Sequence, residues 1–160
     1  MANSSISSKQ NETKQPYLLS LKYLSMRSAH SAQIKEYLSK KGTPKEKIEE
    51  VVGRLIQEGY LDDEEWIQGY VKKEVFKGKG PLAIQAKLRS KGIHIEEITM
   101  FYTEQMQLGA ILHYLDKKNL RFNPNDYLAK KKEVSRLIQR GFSYTIALEG
   151  IERYLLQLNS

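Results

Sequence analysis

Residues 58 to 92, EGYLDDEEWIQGYVKKEVFKGKGPLAIQAKLRSKG, decide how this chain folds. After a Gly-Tyr-Leu-Asp-Asp turn, the first half of this segment carries apolar residues at helical spacing. Gly78 and Gly80 then interrupt the pattern, and the proline that follows favours the first turn of a new helix. The segment therefore predicts two helices, at about residues 62 to 76 and 81 to 91, joined by a short glycine-containing turn.

The flanking sequence is helical in pattern as well, since no stretch alternates between apolar and polar residues as a strand does. Further helices are expected at about residues 95 to 106 and 108 to 118. Thr43, Asp126 and Ser143 are each placed to cap a helix N-terminus. The strongest apolar stripe is formed by Ile48, Val51, Val52, Leu55 and Ile56. The sequence therefore predicts an all-α fold.

A repeat becomes visible when the chain is aligned on three glycines that end helices, Gly42, Gly92 and Gly141. They lie 50 and 49 residues apart, and each follows a cation directly and a leucine by four positions. A period of this length is typical of tandem helical arrays. We therefore expect three tandem three-helix repeats forming an elongated, curved array. The predicted divisions are a disordered tail at 1 to 15 and repeats at 16 to 58, 59 to 107 and 108 to 160.

The composition indicates a basic protein without cysteine, with 26 Lys and Arg against 19 Asp and Glu and a net charge of +7. Such a balance favours contact with an acidic partner, such as nucleic acid or an acidic protein surface. No apolar run approaches the length that spans a bilayer, and the N-terminal segment lacks the apolar core of a signal peptide. We therefore expect a cytoplasmic protein with no membrane contact.

No catalytic constellation can be identified in the sequence. The three histidines, His30, His94 and His113, are far apart, and none lies in a zinc or triad motif. The acidic run at residues 62 to 65 falls in the first turn of a predicted helix, where carboxylates are stabilised by the helix dipole. The sequence therefore predicts no enzyme activity, no metal site and no cofactor.

The central segment resembles the bacterial RecX regulatory proteins, and the likeness extends over about residues 17 to 155. Their signature of turn, aromatic residues, Gly-x-Gly and Ile-x-x-x-Leu-x-x-Lys-Gly-Ile is matched by Gly59 to Asp63, Trp66, Tyr70, Gly78, Gly80, Ile84, Leu88 and Lys91 to Ile93. The segment Arg140 to Tyr144 is also similar to the family. His30 departs from it, because a helix-capping serine is usual there. The resemblance therefore implies that the next helix starts from Ser28 or Ser31.

The resemblance implies a function as well as a fold. RecX proteins are monomers that bind the RecA recombinase in the groove of its filament on single-stranded DNA. They inhibit the ATPase, strand-exchange and coprotease activities of RecA, and so regulate recombination, DNA repair and the SOS response. Two alternatives remain open from the residues alone. One is a sequence-independent protein that binds single- or double-stranded DNA weakly, and the other is a scaffold for a different protein.

Two basic patches are the candidate contacts for the RecA filament or for DNA. The first consists of Lys72, Lys73, Lys77, Lys79, Lys87, Arg89 and Lys91. The second consists of Lys130, Lys131, Lys132, Arg136 and Arg140, preceded by Lys117, Lys118 and Arg121. Where the family is richer in arginine, lysine at 72, 73 and 77 predicts looser anion contacts. Trp66, Tyr70 and Tyr102 are able to stack on bases, although their spacing favours the core.

Overall fold

The computed structural model describes the backbone of residues 3 to 160 and the side chains of residues 15 to 160. In this part of the chain the regular elements are helices and none is a strand, which confirms the all-α prediction. The α-helices are α1 (Asn3–Met26), α2 (Ser31–Lys40), α3 (Lys45–Gln57), α4 (Asp63–Phe76), α5 (Pro81–Ser90), α6 (Glu104–Lys117), α7 (Tyr127–Gln139) and α8 (Tyr144–Leu158). A short 3₁₀ helix lies at Ile98–Met100.

α1 begins at Asn3, and the disordered tail expected at residues 1 to 15 remains a prediction. Residues 1 and 2 lie outside the described residues. The polar sequence before residue 16 has no apolar period and so gives no helix signal. Once the packed part of α1 is helical, however, further residues extend it without a new nucleus, although Pro16 within the helix has no N–H to donate. That cooperativity is invisible to a residue-by-residue interpretation.

The α-helix expected at residues 95 to 106 is not formed as predicted: a 3₁₀ turn lies at Ile98–Met100, and α-helix is present only from Glu104 onward. The next helix instead begins at Glu104, because the Thr103 hydroxyl accepts a hydrogen bond from the Met106 amide at 3.3 Å. Tyr102, just before this cap, is fully buried. The apolar spacing that predicted a helix thus reflects a buried turn followed by an earlier start of α6.

The chain forms two compact units, residues 1 to 67 with 91 to 93, and residues 68 to 90 with 94 to 160. In the first unit, α1 and α2 pack on α3. The predicted stripe of α3 faces this core, apart from Ile56, which is half exposed. The buried core residues are Ala29, Ile34, Leu38, Ile48, Val51, Val52, Leu55 and Leu61.

In the second unit, α8 packs chiefly on α6 and also on α7. The α6 and α8 helices approach closely at Gly150, where a Cβ atom would lie 2.6 Å from the Ile111 side chain. The approach buries both helix faces. The largest buried side chains of these helices are Leu108, Ile111, Leu115, Ile151, Tyr154 and Leu155.

The three glycines that defined the repeat all adopt left-handed backbone conformations, with φ of 82° at Gly42, 75° at Gly92 and 100° at Gly141. L-residues with a side chain rarely adopt this conformation, so each position calls for glycine. The leucine four residues before each glycine is fully buried: Leu38, Leu88 and Leu137. The helix order and these equivalent corners are consistent with tandem three-helix repeats.

The helix caps agree with the sequence at two of the three predicted positions. Asp126 accepts a hydrogen bond from the Ala129 amide, and Ser143 accepts one from the Ile146 amide. The prediction for Thr43 is wrong, since Pro44 occupies the N-cap of α3 and provides no side-chain acceptor. Pro44 has an extended backbone, with φ of −60° and ψ of 144°, which places it before the helix and not in its first turn.

α2 starts at Ser31, one of the two positions expected, but neither Ser28 nor Ser31 is its N-cap. His30 is the N-cap, and its Nδ1 accepts a hydrogen bond from the Ala32 amide at 3.1 Å. The Gln33 side chain completes a capping box by accepting from the His30 amide at 3.1 Å. An imidazole therefore replaces the hydroxyl that a serine would supply.

Candidate partner-binding surface

Glu74 is the acid that interrupts the first basic patch, and it is 2% exposed in the structure. Its two carboxylate oxygens accept hydrogen bonds from Lys77 at 2.8 Å and from Lys87 at 3.3 Å. Burial opposes ionisation of Glu74, but the hydrogen bonds from the two lysines outweigh it and lower the pKa of Glu74. The same hydrogen bond raises the pKa of Lys87. These two lysines are therefore largely occupied within the protein.

Arg140, in the second patch, holds two segments of the second unit together. Its guanidinium donates from Nε to the Gly78 carbonyl and from Nη2 to the Lys77 carbonyl, both at 2.9 Å. The guanidinium carbon also lies 4.4 Å from the centre of the Tyr114 ring, in cation–π contact. Because its guanidinium makes these contacts within the protein, Arg140 stabilises the fold and has little capacity left to bind a partner.

Two more cations of the second patch are paired with acids. Lys130 contacts Glu152 at 2.9 Å, which links α7 to α8. Arg136 contacts Glu133, whose side chain is only 5% exposed. Charge reversal at either cation would leave a carboxylate facing another carboxylate. Both side chains are thus poor choices for a test of partner binding.

The remaining predicted cations form no ion pair with any described side chain. They are Lys72, Lys73, Lys79, Arg89, Lys91, Lys131 and Lys132. Lys79 and Lys91 are half-buried and the other five are exposed. Lys91 belongs to the first compact unit and the other six to the second. The most accessible candidates are therefore adjacent pairs, Lys72 with Lys73 on α4 and Lys131 with Lys132 on α7.

The Gly78-Lys79-Gly80 turn carries no phosphate-loop geometry but makes a backbone contact with the corner that follows α7. The Gly80 amide donates to the Arg140 carbonyl at 2.8 Å, and the Leu82 amide donates to the Gly141 carbonyl at 3.1 Å. A Cβ on Gly80 would lie 2.3 Å from the Gly141 carbonyl carbon. This contact supplies an acceptor for a first-turn amide of α5, which has no partner within its own helix.

The aromatic residues considered for base stacking differ in accessibility. Tyr102 is fully buried, and its hydroxyl donates to the Lys79 carbonyl at 3.0 Å. Burial raises the pKa of Tyr102. Trp66 is half-buried with its ring edge-on to His30 at a centroid distance of 5.7 Å. The core assignment is therefore right for Tyr102, and that residue offers no face to a base.

Phe76 is an accessible aromatic residue that the sequence interpretation missed. It is 77% exposed, and its ring centre lies 6.3 Å from that of His113 on α6. The signal was present in the sequence, because Phe76 lies among lysines and outside the apolar face that Ile67 and Val71 define. Exposure, not helical spacing, distinguishes it from Tyr102.

The acidic run at the start of α4 has structural partners. Asp62 accepts a hydrogen bond from the Glu65 amide at 3.0 Å and so caps the helix. Asp63 accepts from both the amide and the hydroxyl of Ser31 and lies 3.4 Å from His30 Nε2. The carboxylate of Asp63 thus ties the start of α4 to the start of α2. Among the residues that the structure describes, no three acidic or histidine side chains are grouped to hold a metal ion.

Within the same described residues, no helix combines the length and the apolar character needed to cross a membrane.

Comparison with known proteins finds relatives named Regulatory protein RecX, although no protein-family model matches the chain. The Regulatory protein RecX of Bacillus cytotoxicus is 29% identical over 137 residues, which cover 82% of this chain and 51% of that protein. The Regulatory protein RecX of Halalkalibacterium halodurans is 29% identical over 146 residues, which cover 88% and 55%. The chain thus spans about half the length of the curated relatives it matches.

Solved structures give the same result. The crystal structure of RecX from Lactobacillus salivarius matches with a TM-score of 0.79 at 24% identity, over 92% of this chain and 99% of that one. A second crystal structure, of regulatory protein RecX, matches with a TM-score of 0.69 at 25% identity, over 87% and 72% of the two chains. The resemblance to the RecX family is therefore confirmed, and with it the all-α fold. The relatives are named regulatory proteins and not enzymes.

Proposed function

We propose that this chain, a homologue of the RecX regulatory proteins, regulates the RecA recombinase and thereby recombination and DNA repair. The observation that carries the proposal is the similarity to curated RecX proteins over more than four-fifths of the chain. It acts in the cytoplasm as a monomer, binds in the groove of the RecA filament, and inhibits the ATPase, strand-exchange and coprotease activities. It needs no cofactor and performs no catalysis of its own.

The physical basis of the proposal is steric and electrostatic. A protein bound across neighbouring RecA protomers hinders the motion required for ATP turnover and occupies space that a second DNA strand needs. The exposed lysine pairs supply attraction to acidic surface of the filament, and this attraction is weakened by salt.

The contact residues that support this proposal are fewer than the twelve that the sequence suggested. We propose Lys72 and Lys73 on α4, with Lys131 and Lys132 on α7, as the principal contacts, because they are exposed and unpaired among the described side chains. Lys79, Arg89 and Lys91 are secondary. Lys77 is excluded from the test, since a glutamate there would face the buried carboxylate of Glu74.

The test is RecA ATPase activity on single-stranded DNA with substoichiometric amounts of this protein. We expect inhibition by the wild-type chain. The variant Lys72→Glu with Lys73→Glu should need about tenfold more protein for half inhibition, because each reversed charge replaces attraction by repulsion. Its free energy of unfolding should change by less than about 0.5 kcal/mol, as both side chains are exposed.

A matched control is Lys22→Glu with Lys45→Glu, which alters the net charge by the same amount at exposed positions of the first unit. This control should inhibit like the wild type. If the wild-type chain leaves the ATPase unchanged, the proposed function is wrong. If it inhibits and the Lys72 and Lys73 variant inhibits equally well, the regulation stands and the assigned contacts do not.

A further inference from the structure

A cleft opens in the second unit where α4 and α7 end beside the C-terminal half of α6. Arg140 forms its floor, because the guanidinium is fixed between the carbonyls of residues 77 and 78 and the Tyr114 ring. The lining side chains that matter for binding are Phe76, Lys77, His113, Tyr114, Lys117 and Lys118. The cleft therefore combines cations with aromatic rings on a rigid base.

The charges of the cleft are of one sign. No carboxylate is among its lining residues. Lys117 and Lys118 form no ion pair with a described side chain, and Lys118 Nζ lies 4.5 Å from the centre of the Tyr114 ring. A positive cleft with partly enclosed walls concentrates anions more strongly than the same charges spread over a flat surface. The geometry thus calls for an anionic ligand.

Phe76 indicates a second property of the ligand, besides its negative charge. Its side chain is 77% exposed at the edge of the cleft, and its ring is inclined by 31° to that of His113. A shallow groove along α4 shares Phe76 and Lys77 with the cleft and is lined further by Gly69, Lys72 and Lys73. An accessible aromatic ring with lysines in both the cleft and the groove suits a ligand that alternates flat rings with negative charges.

We propose that this cleft binds single-stranded nucleic acid directly, with a base stacked on Phe76. Phosphates on one side of that base contact Lys117 and Lys118, and phosphates on the other side contact Lys72 and Lys73. A duplex fits less well, because its base faces are already stacked on each other. An acidic peptide would satisfy the lysines but has no flat ring at each step for Phe76. The binding requires no RecA and so does not rest on the function proposed above.

The test is fluorescence anisotropy of a labelled oligothymidylate of about 20 nucleotides, without RecA and at about 50 mM salt. We expect binding that weakens steeply with salt. Phe76→Ala should weaken it about 5- to 150-fold, which corresponds to the loss of one stacked base. The matched control is Tyr127→Ala, which removes another exposed aromatic residue with lysines nearby in the sequence but outside the cleft. It should bind like the wild type.

Three results would overturn the inference: no binding at about 50 mM salt, equal affinity of the wild type and Phe76→Ala, or equal affinity for a duplex of the same length. Competition with polyglutamate distinguishes single-stranded nucleic acid from an acidic protein surface as the ligand. Displacement at the same charge concentration as unlabelled oligothymidylate would identify an acidic protein surface as the ligand. Since RecA is absent, failure here leaves the ATPase test untouched, and inhibition of RecA there does not rescue this inference.

Discussion

The starts of α2 and α4 in the first unit are tied together by side chains, whereas the corners of the second unit meet through backbone. In the first unit, the Asp63 side chain accepts from the amide and the hydroxyl of Ser31 and approaches the His30 ring, so each of these contacts includes at least one side chain. In the second unit, the amide of Gly80 meets the carbonyl of Arg140 with no room for a Cβ between them. The first arrangement should tolerate substitution and the second should not.

The largest expected difference in tolerance between the two units is at Gly80. In Gly80→Ala the new methyl group would lie 2.3 Å from the Gly141 carbonyl carbon, and neither backbone segment can move alone. We expect a loss of about 3 kcal/mol or more in the free energy of unfolding, measured by urea denaturation.

The matched control for Gly80 is Gly42→Ala in the first unit. Gly42 has φ of 82° but open space around its Cβ position, so only the left-handed backbone opposes alanine. The expected loss is about 1–2 kcal/mol. Equal losses for the two variants would show that the close backbone contact adds nothing to stability.

Substitution of Arg140 tests how much its side chain stabilises the backbone contact between Gly80 and the corner at Gly141. Arg140→Ala removes two hydrogen bonds to carbonyls and the contact with Tyr114, and we expect it to cost about 2 kcal/mol in denaturant unfolding. Arg140→Lys should recover little of this, because an ammonium lacks the planar fork that reaches both carbonyls. Arg89→Ala, at an exposed cation, should change stability by less than about 0.5 kcal/mol. If Arg140→Lys were as stable as the wild type, the positive charge alone, and not the planar guanidinium, would account for the stabilisation.

The sequence predicted helix positions well where local signals set them. The stripe from Ile48 to Leu55 and the caps at Asp126 and Ser143 depend on residues within one or two turns, and the structure has them where they were expected. The prediction of a helix at 95 to 106 was wrong because Tyr102 is buried through a hydrogen bond to the Lys79 carbonyl. That contact joins residues far apart in the sequence, so local spacing does not reveal it. Spacing alone does not distinguish a buried turn from a helix.

The candidate surface was predictable in composition but not in detail. Counting charges identified both basic patches, but it did not show which cations are paired with buried acids such as Glu74. In the structure that single carboxylate occupies two lysines, and Arg140 is taken up by carbonyls from a segment about 60 residues away. Such pairings depend on which helices meet. For the same reason Phe76 became visible as a candidate only through its exposure.

Substitution of His30 should have the smallest effect on the free energy of unfolding, but the direction of its pH dependence is well defined. Its Nδ1 must be unprotonated to accept from the Ala32 amide, while Nε2 faces the Asp63 carboxylate. Burial lowers the pKa of His30 and outweighs the opposing influence of Asp63. Because the folded pKa lies below the ordinary value of 6.5, the neutral cap stabilises the fold fully above about pH 6.5. That stability is lost as the pH falls through the folded pKa.

His30→Ala should therefore cost about 1 kcal/mol at pH 7.5, as the loss of an N-cap does. His30→Asn, which supplies a cap that does not titrate, should be nearly neutral there. The decisive measurement is the difference in free energy of unfolding between the wild type and His30→Asn at pH 7.5 and pH 5. All other titrating groups are common to both proteins, so a difference that moves in favour of Asn on acidification isolates the imidazole. A difference that stays constant would mean that attraction to Asp63 cancels the loss of the cap, and one that moves in favour of the wild type would mean that this attraction outweighs the cap. Either result would contradict the prediction.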